Sequence, residues 1–503
     1  MATETATPAY RTATAFILIA VAAGLGPLLL FAITQGGRIG LDAYVWRVLS
    51  FTLLQASLST VISVALALPA ARALVRHRSR ARPILLSILA VPQSLPAIVV
   101  VLMLVTLFGA SGLMGGLLNL YGLAGILLAH VYFNMPLALR VFTQTLQRIP
   151  PENRRLAAQL GLHGWSLWRM VEWPALRPVI PRIAALIFLL CAGSFVVVLT
   201  LGGPAATTLE VAIYQSLRMD FDVARALTLS LLQVTLCAVL VALAGRSAWT
   251  EQLPRRRMDG DTYEAPGRAE RIFNAFCILM AALLVGGPLL ALLVEGIRHI
   301  SPGFLMLQAL MTSAAIAALS TTLALALAWP IAWRQRRARG LTTVTPLLGL
   351  IVPPAVLAMG WFILVRGLDG GALLAAVLIV ILNGLMALPF AVNIVTPAVA
   401  SWSERQERLC AQLGLSGWPR FRIAEFPALR GPLAQAGLYA FSLSLGDLSA
   451  VMLLGSQGLV TLPSLLHAQM GHYRSDDAMG TGLLLALLCL GLGPLANNRR
   501  LAS

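Results

Sequence analysis

Long apolar runs alternate along this chain with short polar or Arg-rich stretches. A helix needs about 20 predominantly apolar residues to cross a bilayer. Twelve runs reach that length: 14–34, 48–71, 83–108, 122–142, 179–203 and 224–245 in the first half, then 272–294, 309–333, 343–365, 372–396, 432–455 and 478–496 in the second. Pro and Gly interrupt several of them, which is tolerable where neighbouring helices, side chains or water satisfy the freed backbone groups. The run at 14–34 has only Glu4 and Arg11 before it and no small-residue cleavage site after it, so it reads as a retained first span. The fold class expected is an all-α polytopic membrane protein.

The loops orient the spans. Arg72, Arg76, Arg78, Arg80 and Arg82 crowd one loop, and the next, 109–121, carries no charge. The stretch 140–182 is Arg-dense, 204–223 is mixed and slightly acidic, and the 246–271 segment carries Arg255, Arg256 and Arg257. Arg334, Arg336, Arg337 and Arg339 fill a later loop, and Arg499 and Arg500 close the tail. Arg-rich and Arg-poor loops alternate without a break, so both termini and the Arg-rich loops are expected on the cytoplasmic side.

Two of those Arg-rich loops are copies of one another. From Arg155 to Arg177, 15 of 23 positions are identical to Arg408–Arg430 at an offset of 253. The match superposes Gly161 on Gly414, Trp165 on Trp418, Glu172 on Glu425 and Pro174 on Pro427. It continues outside the loops, with Pro136 on Pro389 and Thr208-Leu209 on Thr461-Leu462, and with Leu58-Ser59-Thr60 on Leu319-Ser320-Thr321 at an offset of 261. The units expected are 1–246 and 271–503, six spans each, joined by a polar linker at 247–270 that contains Pro254, Gly260 and Pro266. Six spans per unit give both copies one orientation, and parallel halves enclose a pathway along the membrane normal.

Composition narrows the class. The 503 residues are 58% hydrophobic and only 11% charged, outside the range of soluble domains. The net charge is +17, but the Arg residues sit between apolar runs, where bilayer anchoring explains them better than nucleic-acid binding. Every basic residue is Arg. A Walker A loop needs a Lys, so any ATP that drives this chain is hydrolysed by another, and no cofactor is expected here. The five Cys show no CxxC or other metal-ligand spacing, and neither a disulfide framework nor a metal site is expected. HExxH and nucleophile motifs are absent, which argues against a membrane enzyme.

Locally each duplicated loop reads as a short helix, a turn and a second amphipathic piece. Pro150 and Pro151 start the first helix, and Gly161 suits the left-handed position after its end. Ser403 and Gln406 form a capping box for the second. Leu156 with Leu160, and Leu409 with Leu413, make apolar i, i+4 pairs, and the small residues Ala157, Ala158 and Ala411 are expected on display to a partner's groove. Trp165 and Trp418 suit either the membrane surface or a partner pocket.

These loops resemble the EAA motif of ABC importer permeases, E-A-A-x3-G-x9-I-x-L-P. Gly161 and Pro174 keep its spacing, as do Gly414 and Pro427. Arg155 and Arg408 stand at the Glu position, Leu156 and Leu409 at the first Ala, Ala157 and Cys410 at the second, and Val171 and Ala424 at the Ile. The resemblance implies two homologous type I permease units whose loops enter clefts of a homodimeric ATPase. Three stretches, 121–140, 199–217 and 461–479, resemble the thiamine (thiamine pyrophosphate) permeases. That resemblance implies a periplasmic thiamine-binding protein as a further partner and the bacterial inner membrane as the location. Ferric iron permeases share the fused two-unit form and are the alternative. An ion-coupled secondary transporter would need several paired ionisable groups within the spans.

Polar residues within the spans are the candidates for a substrate pathway. Asp447 is the acid placed well inside a helix, the eleventh span, and its equivalent in the first half is Ser194. A buried acid marks a functional site by default, and it equally suits a helix–helix bond. Gln93, His130, Asn134 and Asn383 carry the same two readings: lining the path or locking helix contacts.

Overall fold

The computed structural model describes residues 6–34, 40, 42–76, 82–110, 112–116, 119–203, 206–244, 267–300, 303–337, 352–365, 370–456, 458–472 and 475–497. Among them every regular element is a helix. The first half contains α1 (Ala6–Thr34), α2 (Ala43–Arg76), α3 (Arg82–Ala90), α4 (Ala97–Phe108), α5 (Leu123–Gln147), α6 (Pro151–Gln159), α7 (Gly164–Leu176), α8 (Ile180–Ala192), α9 (Val196–Leu201), α10 (Leu209–Arg218) and α11 (Val223–Ala244). The second contains α12 (Arg268–Arg298), α13 (Phe304–Arg337), α14 (Pro354–Val365), α15 (Gly371–Ala400), α16 (Glu404–Gln412), α17 (Gly417–Arg420), α18 (Phe426–Leu445), α19 (Ser449–Leu454), α20 (Leu462–Gly471) and α21 (Ser475–Asn497). The 247–266 part of the expected linker and the 343–351 part of the ninth expected span lie outside the described residues.

Seven of the apolar runs form single helices long and apolar enough to cross a membrane: α1, α2, α5, α11, α12, α13 and α15. Three others are broken, against the continuous spans expected. The run 83–108 splits into α3 and α4, bent by 112° around the 3-10 turn Val91–Ser94, which contains Pro92 and is followed by Pro96. Neither Pro has an N–H to continue the ladder. The run 179–203 breaks at Gly193-Ser194 between α8 and α9, and 432–455 breaks at Gly446-Asp447 between α18 and α19. In the first of these two breaks, Gln55 and Gln233 donate to the freed carbonyls of Cys191 and Ala192, which satisfies backbone that lipid could not. The 204–223 segment, expected as a loop, holds the helix α10.

The halves are interlaced. α1 packs on α13 and α14, while α12, its counterpart, packs on α2, α3 and α4. The α1–α14 crossing is close because both helices present Gly: a Cβ on Gly360 would sit 1.6 Å from the Gly24 carbonyl oxygen. Trp361 beside it donates its indole N–H to the Ala20 carbonyl at 3.0 Å. Each half keeps its own α2–α5 or α13–α15 pair, the tightest packing in the chain. A repeated hydrogen bond accompanies these pairs. Thr52 Oγ1 accepts the backbone N–H of Leu209 at 3.1 Å, and Ser313 Oγ accepts that of Leu462 at 2.8 Å, so the same helix position pins the start of α10 and of α20.

Candidate functional site

The two duplicated loops form the same local structure from the same residues. α6 ends at Leu160 with Gly161 at φ +65, and α16 ends at Leu413 with Gly414 at φ +65. In each, the Gly N–H and the next Leu N–H return to carbonyls of the last turn (Gly161 to Ala158, Leu162 to Ala157; Gly414 to Ala411, Leu415 to Cys410), a complete Schellman closure. Pro150 precedes α6, and Ser403 and Gln406 cap α16 reciprocally, as the sequence suggests. A second left-handed Gly, Gly164 or Gly417, then turns the chain into the amphipathic piece.

That piece contains one π-helical turn in each copy, Trp168–Glu172 and Phe421–Glu425. Pro174 and Pro427 lie just beyond these turns. A Pro ring clashes with the carbonyl four residues back in an α-helix, and one wide turn relieves the clash. Trp165, Trp168 and Trp173 stack in series with centroids 4.5 and 5.1 Å apart, and Trp418, Phe421 and Phe426 repeat the series at 5.2 and 5.8 Å.

Each loop turns an apolar row outward. Leu156, Leu160, Trp165 and Met170 are exposed in the first copy, and Leu409, Leu413, Trp418 and Ile423 in the second. Between α6 and α7 lies an open cavity of about 710 Å3 lined by Leu156, Ala157, Leu160, Met170, Val171 and Pro174, among others. Of Ala157, Ala158 and Ala411, expected on display, Ala157 is buried and Ala158 half-buried, and only Ala411 is exposed; Cys410, at the position of Ala157, is buried too. Arg155 and Arg408 are exposed on the outer face, as are Pro174 and Pro427, while Ala424 is half-buried.

The loops differ in what holds them. Glu172 is buried and takes Arg72 Nε at 2.7 Å and Arg76 Nη2 at 2.8 Å, both from α2. Arg76 also pairs with Glu270, at the start of α12, and Arg72 donates to the Gly164 carbonyl at 2.7 Å. In the second copy Trp333 stands where Arg72 does, and Glu425 pairs instead with Arg420 of its own loop, Nε to Oε1 at 2.7 Å. Burial pushes the Glu425 carboxyl above its ordinary range, and Arg420 opposes the shift. Arg336 braces α16 through Glu407 at 3.2 Å and the Trp402 carbonyl at 2.6 Å.

A second feature lies between the halves. A cavity of about 830 Å3 is walled by the α3–α4 bend, by α5, by both helix breaks, and by α18 and α21. Asp447 and its sequence equivalent Ser194 both line it, as does Gln93, whose Nε2 is buried with no partner. Asp447 stands at the α18–α19 break and not inside a helix, because Gly446 ends α18. Its oxygens accept the N–H groups of Ser449 at 3.1 Å and Ala450 at 3.0 Å. His130, Asn134 and Asn383 do not line the cavity. They lock helices: His130 to Ser59 at 3.0 Å, Asn134 to the Cys191 sulfur at 3.2 Å, Asn383 to Ser444 at 3.0 Å. Sequence reasoning missed Glu210, buried on α10 beside Gly193, and the cavity residues Arg140, Gln144, Gln435 and Tyr439. Their 3.6-residue spacing on α5 and α18 was available as a signal.

Among known proteins, a family profile described as binding-protein-dependent transport system inner membrane component matches residues 60–248, which include the first duplicated loop. The thiamine transport system permease protein of Brucella abortus is 39% identical over 98% of this chain and 98% of its own length. The Salmonella typhimurium protein of that name is 40% identical over 90% of this chain and 88% of its own length, and the Escherichia coli one 40% over 89% and 88%.

Proposed function

The chain belongs to the family of binding-protein-dependent transport system permeases, and from that membership we propose that it is the inner-membrane, multi-pass subunit of an importer for thiamine and thiamine pyrophosphate. Its two halves, 1–246 and 271–503, reorient around the cavity between them. The substrate arrives on a periplasmic binding protein, and both termini and both duplicated loops face the cytoplasm. Energy comes from a homodimeric ATPase, and this chain catalyses nothing.

The observation that carries the coupling role is the pair of loops. An amphipathic helix in a folded chain turns its apolar row inward. Here Leu156, Leu160, Leu409 and Leu413 point outward, at 56, 66, 47 and 70% exposure, on two rigidly capped helices of the same geometry. Exposed apolar patches of this kind mark protein interaction sites. ATP binding closes the ATPase dimer and draws the loops together, and α7 and the π-turn preceding α18 pass that movement to the spans.

Leu160→Cys and Leu413→Cys test the docking. Each is expected to form a disulfide with a cysteine placed in the corresponding ATPase cleft, and nucleotide is expected to change the yield at both. A yield no higher than that of a cysteine at Leu113, outside the loops, refutes the coupling role.

A further inference from the structure

The wall of the central cavity carries a cation, Arg140, with no ion-pair partner among the described residues. Arg140 sits on α5, seven residues or about 10 Å before the helix ends at Gln147. Its side chain is exposed to the cavity, and among the described residues no carboxylate lies within ion-pair distance. Arg residues that only anchor a membrane protein sit at helix ends and snorkel outward. One that instead lines an internal cavity marks the path of a charged solute. The duplication sharpens the point, because the position equivalent to Arg140 is Asn393, so the cation is not a repeated structural device.

The opposite charge lies elsewhere on the same wall. Asp447 borders the cavity, and Glu210 stands behind it, 2% exposed, with Oε1 lacking a hydrogen-bond partner. Tyr439, within electrostatic reach of Arg140, lies on α18 six residues, or about 9 Å, before the helix ends at Leu445 ahead of the Asp447 break. Phe133, Phe195 and Tyr439 also line the cavity. The cavity therefore has an acidic region at the helix breaks, aromatic faces, and one planar cation nearer the duplicated loops.

We propose, on the thiamine reading above, that this cavity is a transient site for an aromatic cation bearing a phosphate arm, with Arg140 reading the phosphate. A guanidinium takes phosphate oxygens through paired, charge-assisted hydrogen bonds, while the thiazolium faces Asp447 and the aromatic rings. The acidic region serves thiamine and thiamine pyrophosphate alike. Arg140 serves only the phosphorylated form and sets how well the permease carries it.

The test uses the complete complex in proteoliposomes, with the binding protein loaded with thiamine or with thiamine pyrophosphate. Arg140→Gln is expected to lower pyrophosphate transport about tenfold or more, the worth of charge-assisted bonds to a phosphate, and to leave thiamine transport within about twofold. Arg140→Lys keeps the charge without the fork, and is expected to raise the half-saturating concentration for the pyrophosphate alone. Equal loss of both substrates in both variants, or no loss of either, overturns the role of Arg140. Wild-type complex that carries neither substrate overturns the thiamine reading and this site with it.

Discussion

Gly161 offers a perturbation whose size the structure sets. Its φ is +65, and a Cβ added there meets nothing within 4 Å. A side chain therefore costs backbone strain and no clash. For an L-residue the left-handed conformation costs roughly 1–2 kcal/mol, with Asn the tolerant exception. At 1.4 kcal/mol per factor of ten, that is roughly a 5–30-fold drop in the population of the docked loop geometry. Gly161→Ala is expected to weaken ATPase binding within that range, Gly161→Val at its upper end or beyond, and Gly161→Asn about threefold or less. Gly414 has the same φ and open surroundings, so the same three substitutions are expected to rank identically there. The assay is titration of detergent-solubilised permease with the ATPase, following affinity, with membrane insertion checked separately. Loss in the Asn variant equal to that in the Val variant would refute the backbone argument, since only Val cannot adopt the turn.

Three further outcomes follow from the contacts that hold the loops and the helices. Glu172→Ala removes the carboxylate that Arg72 and Arg76 share, and removing one partner of a buried ion pair costs about 3–5 kcal/mol, so melting of the purified protein is expected to fall by several degrees. Ser403→Ala removes the reciprocal cap of α16, worth about 1 kcal/mol, and is expected to speed amide exchange in the second loop while leaving α6 unchanged. Asn383→Ala loses one bond to Ser444, worth about 0.6 kcal/mol between membrane helices, and is expected to lower thermal stability slightly with the substrate half-saturation unchanged; a changed half-saturation would return Asn383 to the pathway.

The local chemistry is legible in the sequence. Gly161, Gly414, the Ser403–Gln406 cap and the Pro150-Pro151 start each act within a few residues, and each does in the fold what its position implies. The apolar runs gave the helices, but not the breaks, because hydropathy counts side chains and ignores missing N–H groups. Pro92, Pro96 and Gly446 carried that signal. Asp447 stands outside a helix for this reason: the Gly before it ends α18, and the carboxylate accepts the first two N–H groups of α19. The clamp on the first loop was beyond reach, since Arg72 and Glu172 are 100 residues apart and nothing in either neighbourhood names the other. Ala157 lies on the inward face and not on display, because a helical pattern shows that two faces differ, not which one a partner will cover. Arg140 falls where the span 122–142 and the Arg-dense stretch 140–182 overlap, so charge counting places it with the loops although it lies two turns before the end of α5.

The most direct test of the central claim is the ATPase rate of the reconstituted permease with its ATPase partner and a binding protein loaded with thiamine, with thiamine pyrophosphate or with ferric iron. Stimulation by the two thiamine forms, lost when Gly161 and Gly414 are both replaced by Val, is the result expected. Stimulation by the iron-loaded protein alone, or a rate indifferent to both Gly replacements, would contradict it.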